Sequence, residues 1–236
     1  MKPLKERIIN LDNRDYHMHT SSFSDGIPTI NELVQFAWTI WMKEIAITDH
    51  SQVAIDMFRK NYNISAGSTA YYSVKRWKNV YNDVNVIFWV EGDLLDKEWN
   101  VCFNIQGTEP DFIILSAHYD VYVDFMKQDP NLVTDATIKA IEKYHDKIKL
   151  IWHPCSMSDF GEYYDIEKLV DVANKYNIPL EFNAKNFVRW KTNMEKLDYL
   201  LKNTNQIYIN SDAHSLYEFK TVRKKAIEFL YENNYL

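Results

Sequence analysis

Short apolar runs alternate with longer amphipathic stretches along almost the whole chain. Residues 44–48, 84–95, 111–117, 147–152, 179–183 and 206–210 are too short for stable helices and rich in Ile, Val and aromatics, so they predict strands. Residues 101–105 read as a short return strand. Between these runs apolar positions recur at helical spacing: Ile30, Leu33, Val34, Ala37, Trp38 and Trp41; Ile166, Leu169, Val170, Ala173 and Tyr176; Phe219, Val222, Ala226, Phe229 and Leu230. Residues 69–82, 134–144 and 193–203 are also predicted helical. Thr29 with Glu32, and Ser215 with Glu218, are capping-box patterns, and Asp165 can cap the helix that follows it. Residues 51–67 and 119–131 keep no period and read as long loops, which in compact domains often carry function. Trp38, Trp41, Trp89 and Trp152 read as packing residues. The β-α alternation repeats about seven times, which implies a parallel sheet. No repeat, linker or low-complexity segment interrupts it, so one domain over 1–236 is the expectation.

Polar residues of one kind collect where the apolar runs end. His17 and His19 flank Met18, and alternation along a strand puts both imidazoles on one face. His50, His118, His153 and His214 each close or follow a strand-like run, and Glu91 follows Val86–Val90 in the same way. Only His145, at the end of a predicted helix, stands apart; it reads as an exposed partner of the helix dipole. Asp25 and Asp212 complete the set. His17, His19, Asp25, His50, Glu91, His118, His153, Asp212 and His214 are too many groups for one metal ion. Imidazole with carboxylate suits Zn, Mn or Fe and requires no thiolate. In an α/β barrel the loops converge at the C-terminal strand ends, where these residues fall.

Composition changes the picture in two ways. A formal net charge of -6 and a pI of about 5.7 argue against a basic nucleic-acid footprint. The two cysteines, Cys102 and Cys155, make no disulfide framework, and Cys155 reads as a small buried residue. No signal peptide is evident and no apolar run approaches the roughly 20 residues that span a bilayer, so a cytoplasmic protein is expected.

Taken in order, these residues make the sequence resemble the PHP family, the polymerase and histidinol phosphatase domain. The matching motifs are His17-x-His19 with Ser24-Asp25-Gly26, Thr48-Asp49-His50-Ser51, Glu91-Gly92-Asp93, Ser116-Ala117-His118, His153-Pro154 and Ser211-Asp212-Ala213-His214. The resemblance implies an α/β fold, a distorted (β/α)7 TIM-like barrel with its metal site at the C-terminal strand ends. It implies three divalent metal ions (Zn, Mn or Fe). The first takes His17, His19, Glu91 and Asp212; the second shares Glu91 and takes His118 and His153; the third takes Asp25, His50 and His214. In some members a histidine stands where Asp25 stands here.

The implied activity is a phosphoesterase that hydrolyses a small-molecule phosphate monoester with a metal-activated hydroxide, histidinol phosphate being the first specific candidate. The alternatives are a nuclease, a protein-tyrosine phosphatase or a non-catalytic metal-binding module. The leaving oxygen is expected to be stabilised by a metal or protonated by Asp212, His214 or a water. Asp15, Asp49 and Asn183 are expected to support the ligands, a carboxylate on the ligand face being able to accept a spare imidazole N–H. Lys185, Arg189 and Arg59, with Lys60, are candidate phosphate contacts, weighed against plain surface charge for Lys185 and Arg189. Tyr122 and Phe125 are candidates to wall the organic half of the substrate. The expected partner is a small phosphate ester, with neither membrane nor nucleic acid; the oligomeric state is left open.

Overall fold

The computed structural model describes residues 2–62, 80–96, 98–110, 112–118 and 129–236. Its strands are β1 Arg14–Asp15, β2 Glu44–Ile47, β3 Asn85–Phe88, β4 Val90–Leu94, β5 Val101–Cys102, β6 Ile113–Ser116, β7 Ile148–Ile151, β8 Leu180–Asn183 and β9 Ile207–Asn210. They form a mixed α/β fold with two sheets, ordered β1-β2-β3 and β5-β4-β6-β7-β8-β9. Every pairing is parallel except the return strand β5 on β4. The run predicted as one strand over 84–95 is broken at Trp89 and passes there from the first sheet to the second. Isolated parallel bridges, Met18 to Ala213 and His50 to Glu91, also link the two sheets' ends.

Helices Ile30–Thr39, Leu132–Tyr144, Ile166–Tyr176, Met194–Asn203 and Leu216–Glu232 follow the apolar periodicity. Thr29 and Glu32 form the reciprocal capping box, and Asp165 accepts from the Lys168 N–H. Three expectations fail. The loop expected over 51–67 is helical from Gln52 to Tyr62. Its apolar side chains divide between two clusters, Ala54, Val53 and Met57 in one and Ile55 in the other, which spreads the stripe and hides the period. Trp38 and Trp41 are 49% and 80% exposed. Trp41 lies past the helix end in a left-handed conformation (φ 62°), and Trp38 stands one residue off the buried stripe of Ile30, Leu33, Val34 and Ala37. A short helix, Ala184–Val188, follows β8 where none was expected. The helix expected over 69–82 lies outside the described residues up to 79, and Val80 to Asn82 are not helical. Tyr122 and Phe125 also lie outside them.

The pleat sorts each strand onto two faces. On one face Ile113 and Leu115 of β6, Leu180 and Phe182 of β8, and Ile207 and Ile209 of β9 pack with helix residues such as Leu169, Leu200 and Val222. On the other, Tyr16, Ala46, Trp89, Ile114, Leu150 and Trp152 form a separate aromatic-rich cluster, with Tyr208 against it. Two residues further along each strand this second face turns polar: Trp89 gives way to Glu91 and Asp93, Ile114 to Ser116 and His118, Tyr208 to Asn210 and Asp212. A floor of rings thus lies under a polar layer at the C-terminal strand ends. Among the described residues no helix is long and apolar enough to cross a membrane.

Candidate metal centre

All nine expected ligands converge at that polar layer. Glu91, 1% exposed, sits at the middle. His50 Nδ1 lies 3.1 Å from its carboxylate, His19 and His118 Nε2 3.4 Å, and His17 Nε2 3.6 Å. Asp212 lies 3.4 to 3.7 Å from ring nitrogens of His17, His19, His153 and His214. Asp25 Oδ1 is 3.4 Å from His50 Nε2 and 3.2 Å from His214 Nε2. The cleft above them has a volume of about 540 Å³, with Trp152, Ser158, Asn186, Arg189 and Lys191 among its walls.

Local backbone chemistry places these groups. Met18 is fully buried on the opposite face, which leaves His17 and His19 facing the cleft. At Gly26 an added Cβ would stand 2.3 Å from the His19 carbonyl oxygen, so only glycine lets the chain fold back and lay Asp25 against the imidazoles. Asp212 adopts φ 51°, a left-handed conformation that costs an L-residue about 1 kcal/mol and that Asp tolerates. Its carboxylate is held by the Asn183 amide at 3.0 Å and the Lys185 ammonium at 2.9 Å. Ser215 caps the last helix as expected, but Glu218 turns away from it to accept from the His214 N–H (2.8 Å) and Arg189 (2.6 Å).

Asp15 and Asp49 brace the site without touching the ligand rings. Asp15 accepts from the backbone N–H groups of Ser211 (3.1 Å) and His17 (3.4 Å), and Asp49 from the Thr20 N–H and hydroxyl, each at 2.6 Å.

The charges test whether cations fit. Burial drives the Glu91 carboxyl up, yet the imidazoles around it, His118 foremost, hold it well below the usual range. Burial, with His214 and His50 alongside, pushes His19 down to about 3. Burial opposes the proton on His50 as well, but Glu91 and Asp25 lift it to about 9. Among the described residues, neither oxygen of Glu91, nor Nε2 of His153, meets a hydrogen-bond partner. His17 and His19 aim their Nε2 atoms at each other across 3.2 Å. Buried polar atoms left in this way are costly, and a cation among them removes the cost. Among the described residues, ligand atoms lie within 4.8 Å of one another in four groups: His19 with Asp25, His50 and His214; His17 with His19 and Asp212; His50 with Glu91 and His118; and His17 with His153 and Glu181. Imidazole and carboxylate without thiolate fit Zn, Mn or Fe.

The PHP domain model matches residues 15–195. The chain belongs to the PHP domain family. It is 27% identical over 218 residues to the DNA polymerase/3'-5' exonuclease PolX of Bacillus subtilis, a match covering 86% of this chain but 34% of that longer protein. It is 23% identical over 219 residues to a probable phosphatase of Enterobacter sp. strain 638, covering 89% of this chain and 83% of the relative. Among solved structures it is similar in fold to the histidinol phosphatase candidate hisK of Listeria monocytogenes, with TM-score 0.58, 12% identity and coverage of 90% and 99%. It is also similar to the histidinol phosphate phosphatase of Lactococcus lactis complexed with Zn, L-histidinol and phosphate, with TM-score 0.51, 14% identity and coverage of 90% and 93%.

Within this PHP domain the candidate phosphate contacts separate. Lys185, weighed as a surface charge, lines the cleft: its side chain is 12% exposed and its Nζ is 3.0 Å from His214 Nδ1. The unexpected helix after β8 carries it inward. Arg189, 55% exposed, stands at the mouth and is bound to Glu218. Arg59 belongs to the helix Gln52–Tyr62, and its side chain is outside the described residues; Lys60 is exposed. Two carboxylates are absent from the expected set. Asp93 accepts from His118 Nδ1 and from the Ser51 hydroxyl, both at 2.6 Å, and Glu181 contacts His17 Nδ1 at 2.8 Å. Glu181-x-Asn183 in β8 repeats the spacing of Glu91-x-Asp93 in β4, and that repeat is the signal in the sequence that marks both.

Proposed function

We propose that this chain is a metal-dependent phosphatase acting on small phosphate monoesters. The observation that carries the reading is Glu91: a buried carboxylate with no hydrogen bond among the described residues, ringed by four imidazoles. On this reading the two sheets are parts of a distorted (β/α)7 barrel. Three cations would be held by His17, His19, Glu91 and Asp212; by Glu91, His118 and His153; and by Asp25, His50 and His214. Bound there, divalent ions supply an acidified water and neutralise charge on phosphoryl oxygens.

The chain's own groups do the rest. Lys185 meets the phosphate, with Arg189 at the mouth. Trp152, 1% exposed and edge-on to His118 at 4.8 Å, keeps the floor dry and strengthens every charge interaction above it. The proton that the leaving oxygen requires is assigned to a water beside His214, whose side chain, 22% exposed against 4% for Asp212, stands nearer the mouth. Burial drives the Asp212 carboxyl up, but Lys185 and His17 hold it well below the usual range, so it carries no proton to give.

The acidic net charge and the phosphatase relative matched over most of its length favour a monoester over a nucleic acid. Protein loaded separately with Zn, Mn and Fe should release phosphate from a panel that includes histidinol phosphate, nucleoside monophosphates, a phosphotyrosine peptide and an oligonucleotide. Release from a small monoester, lost on chelation, is the expected result. Absence of turnover with every ester under all three metals overturns the reading, and turnover of the oligonucleotide alone replaces it with a nuclease.

A further inference from the structure

Glu181 is fully buried in the middle of β8, and four donors converge on its two oxygens. His17 Nδ1 (2.8 Å) and the Asn210 amide (3.0 Å) meet Oε1, while the Asn183 amide (3.3 Å) and the His153 N–H (3.4 Å) meet Oε2. The first contact decides a proton position. An imidazole that donates from Nδ1 carries a lone pair on Nε2. In His17 that nitrogen points at His19 Nε2, Glu91 and Asp212, where a cation is proposed to sit. The opposite tautomer would aim an N–H at that point and turn a lone pair toward the carboxylate.

We propose that Glu181 is a positioning residue that locks His17 in its metal-binding tautomer and orientation. Asn210 fixes Glu181 in turn: its own carbonyl oxygen accepts from the Tyr16 N–H (3.1 Å) and the Asn10 amide (3.0 Å), so the lock is tied to both chain ends of the fold. Glutamine cannot replace the carboxylate here. Its NH2 group would face two donors whichever way the amide is turned, and turned toward His17 it favours the wrong tautomer.

The inference rests on the metal-dependent reading, but its test needs no turnover, so a failed phosphatase assay and a failed lock are told apart. In the Zn-loaded wild-type protein, long-range proton–nitrogen correlation of the His17 ring should show the proton on Nδ1; a proton on Nε2 overturns the proposal without any variant. In Glu181→Gln, metal affinity measured by chelator competition should fall roughly ten- to a hundredfold with far-UV circular dichroism unchanged. A folded Glu181→Gln protein with wild-type affinity and an Nδ1 proton overturns it. If that variant does not fold, Glu181→Asp keeps the acceptors one methylene back. It should show an intermediate loss, and wild-type affinity there also overturns the proposal.

Discussion

The aromatic floor and the polar layer above it stand on the same face of the same strands, two residues apart, yet they are completed by different things. Tyr16 stacks on Trp89 at 5.6 Å and meets Tyr208 edge-on at 5.1 Å, and each ring there finishes its neighbour. Above them Glu91 and His153 keep buried atoms with no hydrogen bond among the described residues. Ring packing closes the floor, although the buried Trp152 indole N–H finds no hydrogen-bond partner among the described residues, whereas the polar layer gathers buried carboxylate and imidazole atoms that a cation would satisfy. Lowering the cost of one therefore need not help the other.

Glu91→Ala breaks the comparison hardest. It removes the group shared between two of the proposed cations, so several kcal/mol of transition-state stabilisation should go, about three powers of ten or more in kcat/KM. Metal content should fall with it while circular dichroism stays native. Activity within tenfold of wild type, at full metal content, places the hub elsewhere. Leu150→Ala addresses the floor. Leu150 is fully buried, and truncation there should cost about 2–5 kcal/mol, lowering Tm by roughly 4–20 °C, with activity per folded molecule retained below the transition. A loss of metal affinity without a loss of Tm contradicts the division into two layers.

Lys185→Met gives the smallest effect and the sharpest sign. Removing an ammonium 2.9 Å from Asp212 should leave cations bound equally or more tightly and weaken inhibition by inorganic phosphate about tenfold. Unchanged phosphate inhibition removes Lys185 from the substrate site.

The same division explains what the sequence reveals. Strand ends are legible because β6 runs apolar until Ser116 and His118, and β7, apart from Lys149, until His153. Histidine is rare enough at such places for six of them in order to carry weight. Glu181 is marked by its Glu-x-Asn spacing alone and is otherwise hard to read. A Glu between Leu180 and Phe182 looks like the solvent side of a half-buried strand, and only the convergence of β7, β8 and β9 buries both of its faces. Lys185 reads as a surface charge for a related reason: its burial depends on a helix of five residues, too short to leave a period. The helix Gln52–Tyr62 shows the converse, a real element whose apolar side chains serve two cores and so blur each other's pattern.

The Met18–Ala213 bridge, with the His19 N–H donating to the Ala213 carbonyl at 2.9 Å, sets a timetable for biosynthesis. The earliest histidines leave the ribosome nearly two hundred residues before the strand that seats them. Until that strand emerges they hang on an unfinished edge, open to stray ions and to neighbouring nascent chains. On the proposed reading, the cage for the cations is therefore complete only once residues 207–214 have emerged.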